Sequence, residues 1–207
     1  MSAPEITTKD DTAIPKTIFE ALLQDPNLPA PEKPPLHFRH KAITIIGAGT
    51  ITISFTLTVI LFDLARNPSI ATKLREELNS APGPLPLSLQ QLEQLPYLNA
   101  VITEALRLVP GEPGRIDRIA TDHATVYHEP DSTSASKIDG KEIQYIIPPG
   151  FEMSMTPFHI SRQEKLLSKP DEYIPERWSE ATDEEKRKME RYLVSFVRGS
   201  RMCLGVK

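Results

Sequence analysis

The segment from Ile43 to Phe62 contains no charged residue, and it places the strongest constraint on what this chain can fold into. A helix of twenty residues is about 30 Å long, which matches the hydrocarbon thickness of a bilayer or the width of a small domain. The segment also contains five threonines, one serine and two glycines. Charged residues flank it at Arg39, Lys41, Asp63 and Arg66. This polarity favours a buried helix in the core of a larger protein, and a single membrane span is the alternative.

The overall composition is that of a globular protein. The chain has 207 residues, of which 39% are hydrophobic, and a net charge of -4, so it lacks the basic excess of a nucleic-acid-binding protein. Ten of the 20 prolines cluster between predicted elements, at residues 26–35, 82–86 and 148–149. Met1 to Pro15 contains neither the basic nor the apolar region of a signal peptide, and we expect residues 1–14 to be disordered.

Periodicity predicts several elements along the rest of the chain. Apolar residues at helical spacing indicate amphipathic helices over about 69–79 and 96–108, and the mixed charges of residues 183–188 indicate a solvated helix. Clusters of β-forming residues between 115 and 160, with a Pro-Pro-Gly turn, indicate a small and mostly antiparallel sheet. The predicted fold class is therefore α+β, mainly α with a small β-sheet.

Cys203 is the only cysteine of the chain. It cannot form an intrachain disulfide or a Cys-x-x-Cys pair, so a chemical role would be that of a nucleophile or of a single metal ligand. A nucleophile would need a histidine base, and the five histidines show no Cys/His protease pattern. The remaining alternative from the residue itself is a buried structural cysteine in a glycine-rich turn.

The neighbours of Cys203 favour the metal-ligand interpretation. Gly199 and Gly205 allow a backbone to approach a large flat ligand closely, and the guanidinium groups of Arg198 and Arg201 can meet carboxylates. Haem, with its iron, flat ring and two propionates, fits this description.

The same run fills every fixed position of the pattern F-x-x-G-x-R-x-C-x-G and resembles the haem loop of the cytochrome P-450 family. The fixed positions are Phe196, Gly199, Arg201, Cys203 and Gly205. Three upstream segments resemble the same family in the expected order, and the fungal branches look most similar. The resemblance implies a partial cytochrome P-450 fold over residues 15–207, with a distal helix at about 40–66, the E-x-x-R helix at about 96–108, a small sheet at about 115–160, and a meander and haem loop at about 170–205.

Two of these segments imply a structural network. Glu104 and Arg107 form the E-x-x-R pair, and residues 175–178 resemble the P-E-R-[FW] element, whose arginine is Arg177. Forked guanidinium groups on both sides of one carboxylate can hold a segment with little regular structure. The resemblance makes all three residues structural supports, whereas an i,i+3 pair on its own is usually a solvated ion pair.

The third segment, Ala48-Gly49-Thr50-Ile51-Thr52, is similar to the A-G-x-[DE]-T run of the family's distal helix. Ala48, Gly49 and Thr52 fall on the positions that leave room for dioxygen and supply the hydroxyl for oxygen activation. Ile51 replaces the usual acidic residue and cannot carry a proton, so we expect proton delivery through water and Thr52 and slower or leakier oxygen activation.

The resemblance implies a haem-thiolate monooxygenase, an oxidoreductase that inserts one oxygen atom of O2 into an organic substrate. Its iron-containing cofactor is haem b, with Cys203 as the axial iron ligand and propionates held by Arg118 and Arg201. The alternative for Arg118 is an exposed arginine on a strand. Electrons would come from NADPH through a reductase partner, and the substrate would be a small hydrophobic compound. The full-length family lies on the cytoplasmic side of the endoplasmic reticulum membrane through an anchor that this sequence does not show.

One alternative concerns activity. The family places a large portion before the distal helix and a long helix after the haem cysteine. The sequence therefore leaves open a truncated, non-catalytic fragment or pseudo-enzyme of the family.

Overall fold

A computed structural model describes residues 17–111, 114–128, 137–138, 141–142, 144–199 and 202–206. The predicted disordered segment 1–14 lies outside these residues. The chain divides into two compact units, one that ends at Ile51 and one that begins at Thr52. The boundary falls within a long helix, and each unit is described by itself.

The first unit begins with helix α1 (Ile18–Gln24). Thr17 and Glu20 form a reciprocal capping box, in which each side chain accepts a hydrogen bond of 3.1 Å from the other residue's backbone N–H. A 3-10 turn (Ala30–Glu32) follows, and the Lys33 ammonium donates to two backbone carbonyls at the end of α1. Helix α2 (Pro35–Arg66) begins in this unit and continues into the second.

The second unit contains the end of α2 and the remaining helices. These are α3 (Pro68–Ser80), α4 (Leu89–Glu93), α5 (Pro96–Leu108), α6 (Pro157–Ile160), α7 (Glu176–Ser179) and α8 (Asp183–Tyr192). Proline occupies the first helical turn of both α3 and α5, where its missing N–H costs no intrahelical bond. The helices predicted at 69–79 and 96–108 correspond to α3 and α5.

The described strands form three separate antiparallel pairs. β1 (Ile116–Ile119) pairs with β6 (Glu152–Met155), β2 (Thr125–His128) with β5 (Gln144–Ile147), and β3 (Lys137–Ile138) with β4 (Lys141–Glu142). The predicted α+β class, mainly α with a small and antiparallel β component, is confirmed, and the strands of the described residues are arranged as these three pairs.

The turn at residues 148–150 separates the β2–β5 pair from the β1–β6 pair. Gly150 adopts a φ of 84°, and its N–H donates to the Ala120 carbonyl over 2.8 Å, so the chain leaves the β2–β5 pair and joins β1 instead. The strand predicted up to Ile160 ends at Met155, because Thr156 caps α6 and Pro157 starts it.

The core of the second unit lies between α3, α5 and the segment that precedes α7. Its buried members are Ile70, Leu74, Tyr97, Val101, Ala105, Leu108 and Tyr173. Ile60 and Leu64 of α2 are partly buried against this cluster. The α5 helix is thus the central element on which the site described below is built.

The long helix α2 is present as predicted, but its burial differs from the prediction. Within the described part of the chain, no residue of α2 is fully buried, and Ile46, Ile51 and Leu61 are 64%, 70% and 65% exposed. After Thr52 only one stripe of the helix, which includes Ile60 and Leu64, meets other elements. By length and composition α2 could also cross a membrane, a test that a core helix passes equally well.

Three threonine hydroxyl groups of α2 have hydrogen-bond acceptors within the helix itself. The hydroxyls of Thr44, Thr56 and Thr58 donate to the carbonyl four residues earlier over 2.7–3.0 Å. This local bonding gives these hydroxyl groups acceptors without a partner from another element, although such bonds tend to bend a helix rather than strengthen it.

Candidate functional site

The Glu104 carboxylate is the centre of a buried hydrogen-bond network. The Glu104 side chain is 0% exposed and that of Arg107 is 2% exposed. Arg107 donates through Nε and Nη2 to the two oxygens of Glu104, each over 2.8 Å, which is the bidentate geometry of a strong ion pair. Arg177 donates through Nε to Glu104 Oε1 over 3.1 Å. The structure therefore brings the three predicted network residues together around one carboxylate.

Arg107 and Arg177 also donate hydrogen bonds to backbone carbonyls of the irregular segment between α6 and α7. Arg107 Nη1 donates to the carbonyls of Ser161 and Pro170 over 2.8 and 2.6 Å. Arg177 donates to the carbonyls of Ser168 and Lys169 over 2.9 and 3.1 Å. The bonds from Arg107 supply the partners that buried carbonyls need where no strand or helix provides them, and the bonds from Arg177 hold the exposed part of the same segment.

Two further donors to Glu104 were not predicted from the sequence. The Trp178 indole N–H donates to Oε2 over 2.8 Å, and the Ile174 backbone N–H donates to Oε1 over 3.0 Å. The residue after the arginine in P-E-R-[FW] was the available signal for Trp178, whereas a backbone donor leaves no trace in the sequence. Glu104 accepts five hydrogen bonds in all from these groups and the two arginines.

These contacts keep Glu104 ionised. Burial alone would raise the pKa of the Glu104 carboxyl. The hydrogen bond and positive charge of Arg107, with the bonds from Ile174 and Trp178, outweigh burial, so that the pKa lies below its ordinary value of 4.5. The carboxylate is a fixed negative charge of the scaffold.

Two further carboxylates, those of Glu77 and Glu176, hold the start of α5, and neither was predicted from the sequence. Glu77 of α3 accepts hydrogen bonds from the backbone N–H groups of Tyr97 and Leu98 over 2.7 and 2.8 Å. A carboxylate from another helix thus takes the place of the usual side-chain cap. Glu176 of the P-E-R-W element accepts from Lys73 and from the Tyr97 hydroxyl over 2.7 and 2.8 Å. Both contacts tie α3 to α5 and α7.

The loop that carries Cys203 is anchored on the same helix. Ser195 Oγ donates to the Leu106 carbonyl of α5 over 2.7 Å. Arg198, predicted to meet a ligand carboxylate, instead donates through Nη2 to the Glu190 carbonyl in the last turn of α8. The Cys203 N–H donates to the Phe196 carbonyl over 2.9 Å and closes the loop across its neck.

Cys203 itself is exposed, which contradicts the alternative of a buried structural cysteine. Gly199 has a φ of 81°, the left-handed region in which glycine carries no steric cost. A Cβ at Gly205 would lie 3.7 Å from the Cys203 sulfur, an ordinary contact. The predicted ligand Arg201 lies outside the described residues.

An open pocket begins next to this loop. Two guanidinium groups, those of Arg118 and Arg198, stand among apolar side chains in its wall, which comprises Met155, Pro157, Ile160, Val194 and Val197. Arg118 lies on β1 opposite Met153, and its Nη1 donates to the Asp117 carbonyl over 2.9 Å. The pocket thus combines an apolar surface with positive charge.

The distal motif falls on α2 at the boundary between the two units. Ala48 and Gly49 belong to the first unit, and Thr52 to the second. The Thr52 side chain lies against Gly111, where an added Cβ would approach its Cγ2 to 3.2 Å. A small residue at 111 therefore leaves room for Thr52, just beyond the end of α5.

Sequence comparison decides the family. The model of the family described as "Cytochrome P450" matches residues 8–207. The chain belongs to the cytochrome P450 family. The Glu104 network and the Cys203 loop both lie within the matched residues.

Curated fungal relatives agree with this assignment. The chain is 37% identical over 195 residues to "Cytochrome P450 monooxygenase astB" of Talaromyces wortmannii, and the match covers 92% of the chain and 36% of the relative. It is 35% identical to "Cytochrome P450 monooxygenase ucsK" of Acremonium sp (96% and 36%). It is 34% identical to "Cytochrome P450 monooxygenase TRI4" of Trichoderma arundinaceum (97% and 36%). The chain spans about a third of the length of these relatives.

The residues of the site fit the haem of a cytochrome P450. An exposed thiol can supply the soft axial ligand, and the neighbouring pocket offers apolar residues for a flat ring and the positive charge of Arg118 for a carboxylate.

Proposed function

We propose that this chain supplies the thiolate ligand and its supporting scaffold in a haem-thiolate monooxygenase. The observation that carries the proposal is the position of Cys203. Its thiol is exposed on a loop that Ser195 ties to α5, the same helix that holds the Glu104 network. A ligand at this position is supported by fully buried charge pairs rather than by a flexible surface segment.

The proposed cofactor is haem b, held by Cys203 at the iron and by Phe196, Gly199 and Gly205 along the loop. Arg118 would hold one propionate, since this residue lines the pocket, and Arg201 is proposed for the other. When bound, the haem supplies the activation of O2, and a thiolate ligand favours O–O cleavage. The protein's part is to present the Cys203 sulfur on an anchored loop.

The distal residues remain part of the proposal. Ala48 and Gly49 would provide space beside the oxygen site, and the Thr52 hydroxyl would take part in proton delivery to that site. Gly111 leaves room for the Thr52 side chain at this position, since an added Cβ there would approach Thr52 Cγ2 to 3.2 Å. Ile51 offers no proton, so water would have to complete the path.

Cytochromes P450 generally use a redox partner and act on organic substrates. For this protein we propose an NADPH-dependent reductase as the partner, a small hydrophobic compound as the substrate, and the cytoplasmic side of the endoplasmic reticulum membrane as the location. The apolar pocket wall supports the substrate class.

Isotopic labelling tests the activity. The haem-loaded chain is incubated with a reductase, NADPH, 18O2 and a panel of small apolar compounds, and products are analysed by mass spectrometry. The proposal expects products that carry a single 18O atom, and less product per O2 consumed for Thr52→Ala than for Thr56→Ala, a matched change one turn along α2. Products without 18O, or no product from any compound, would contradict it.

A further inference from the structure

Val197, within the Cys203 loop, has a backbone conformation that its side chain disfavours. Its φ is 59°, in the left-handed region. For a β-branched residue this is a genuine outlier, because Cβ approaches the following carbonyl oxygen and both γ-methyl groups add to the crowding. Glycine would adopt the same conformation without cost.

The surrounding contacts hold Val197 in this conformation. Its own N–H donates to the Val194 carbonyl over 2.9 Å, which makes residues 194–197 a turn. Ser195 is bonded to α5 and Arg198 to α8, so the chain is fixed on both sides of Val197. Strain of this kind persists only where neighbouring contacts impose it, and it concentrates at functional sites.

The side chain of Val197 has a defined place. It forms part of the apolar wall of the pocket that also receives the guanidinium groups of Arg118 and Arg198. A glycine at 197 would relieve the backbone and leave a gap in this wall. The loop therefore has a strained valine at position 197, where glycine would be unstrained but would leave the pocket with less apolar surface.

We propose that Val197 is a cofactor-contact residue whose isopropyl group provides apolar surface against the flat ring of the haem, at the expense of backbone strain in the loop. The inference rests on the proposed function and adds to it a residue that the haem-loop pattern leaves unspecified. It predicts that stability and cofactor binding respond in opposite directions to one substitution.

The test compares Val197→Gly with Val194→Gly, the same chemical change in the same pocket at a residue without a left-handed φ. In the cofactor-free chain, we expect Val197→Gly to raise the thermal unfolding midpoint by about 2 °C, because relief of strain exceeds the entropic cost of glycine. We expect Val194→Gly to lower the midpoint by roughly 5 °C. Haemin titration, followed by quenching of Trp178 fluorescence, should show about tenfold weaker binding for Val197→Gly, the loss of most of one apolar side-chain contact.

Val197→Ala separates the two effects, since it shortens the side chain but keeps a Cβ in the left-handed region. It should weaken haemin binding without the gain in midpoint. The inference is overturned if Val197→Gly lowers the midpoint as Val194→Gly does, or if it binds haemin as tightly as the wild type. A wild-type chain that binds no haemin overturns the proposed function, and the contact role of Val197 with it.

Discussion

Replacing Glu104 with glutamine should destabilise the chain more than any other isosteric change in the described site. In the best orientation, the glutamine oxygen takes the place of Oε1 and keeps three of the five hydrogen bonds. Its NH2 group then faces the N–H groups of Arg107 Nε and Trp178 Nε1, and both donors lose their acceptor.

The magnitude follows from burial. Two orphaned donors cost about 1–3 kcal/mol each, and removal of one partner from a buried ion pair typically costs about 3–5 kcal/mol in total. The Arg107 side chain is only 2% exposed, so solvent cannot replace the lost charge. We therefore expect a loss of about 4 kcal/mol in the free energy of unfolding, which corresponds to a decrease of roughly 8–16 °C in the unfolding midpoint.

Urea unfolding followed by circular dichroism and by Trp178 fluorescence measures this loss. Glu76→Gln is the matched control, because Glu76 is exposed on α3 and should change the free energy of unfolding by no more than about 0.5 kcal/mol. If Glu104→Gln falls within about 1 kcal/mol of the control, the reasoning that the network is a buried charge cluster is refuted.

Three further predictions follow from the same contacts. Because the folded-state pKa of Glu104 is lowered, its contribution is present above pH 4.5 and is lost as the pH falls through the folded pKa; the stability difference between wild type and Glu104→Gln should therefore shrink in acid, and a constant difference would argue against it. Arg177→Lys should lower the free energy of unfolding by about 1–3 kcal/mol, since a lysine cannot reach Glu104 and the two carbonyls together. A free energy from urea unfolding within about 0.5 kcal/mol of wild type, the usual effect of a substitution at an exposed site, would contradict this. Glu77→Ala should cost about 1–2 kcal/mol and increase amide exchange at Tyr97 and Leu98, and unchanged exchange at both would contradict a capping role.

The sequence allowed part of this site to be predicted because spacing and charge are visible in it. Glu104 and Arg107 stand three residues apart on a helix, and such spacing brings side chains to the same surface. Arg177 was expected beside them only through the resemblance of residues 175–178 to a family element. The spacing did not reveal that Glu104 and Arg107 are buried, since burial depends on the segments that pack over α5.

Other features depend on contacts that no local pattern encodes. Glu77 caps α5 from a separate helix, and the Ile174 donor to Glu104 is a backbone group. The exposed face of α2 could not be predicted from composition, because an uncharged apolar sequence predicts a buried helix and carries no information about the neighbouring elements. The left-handed valine at 197 was equally hidden, since the propensity of valine argues against that conformation.

The carbon monoxide spectrum of the reduced, haem-loaded chain tests the central claim most directly, because it reports the identity of the axial ligand. With Cys203 as a thiolate ligand, the Soret band should shift strongly to the red, and Cys203→Ser should bind haem without this shift. A wild-type spectrum that matches that of Cys203→Ser, or a flat difference spectrum, would contradict the account.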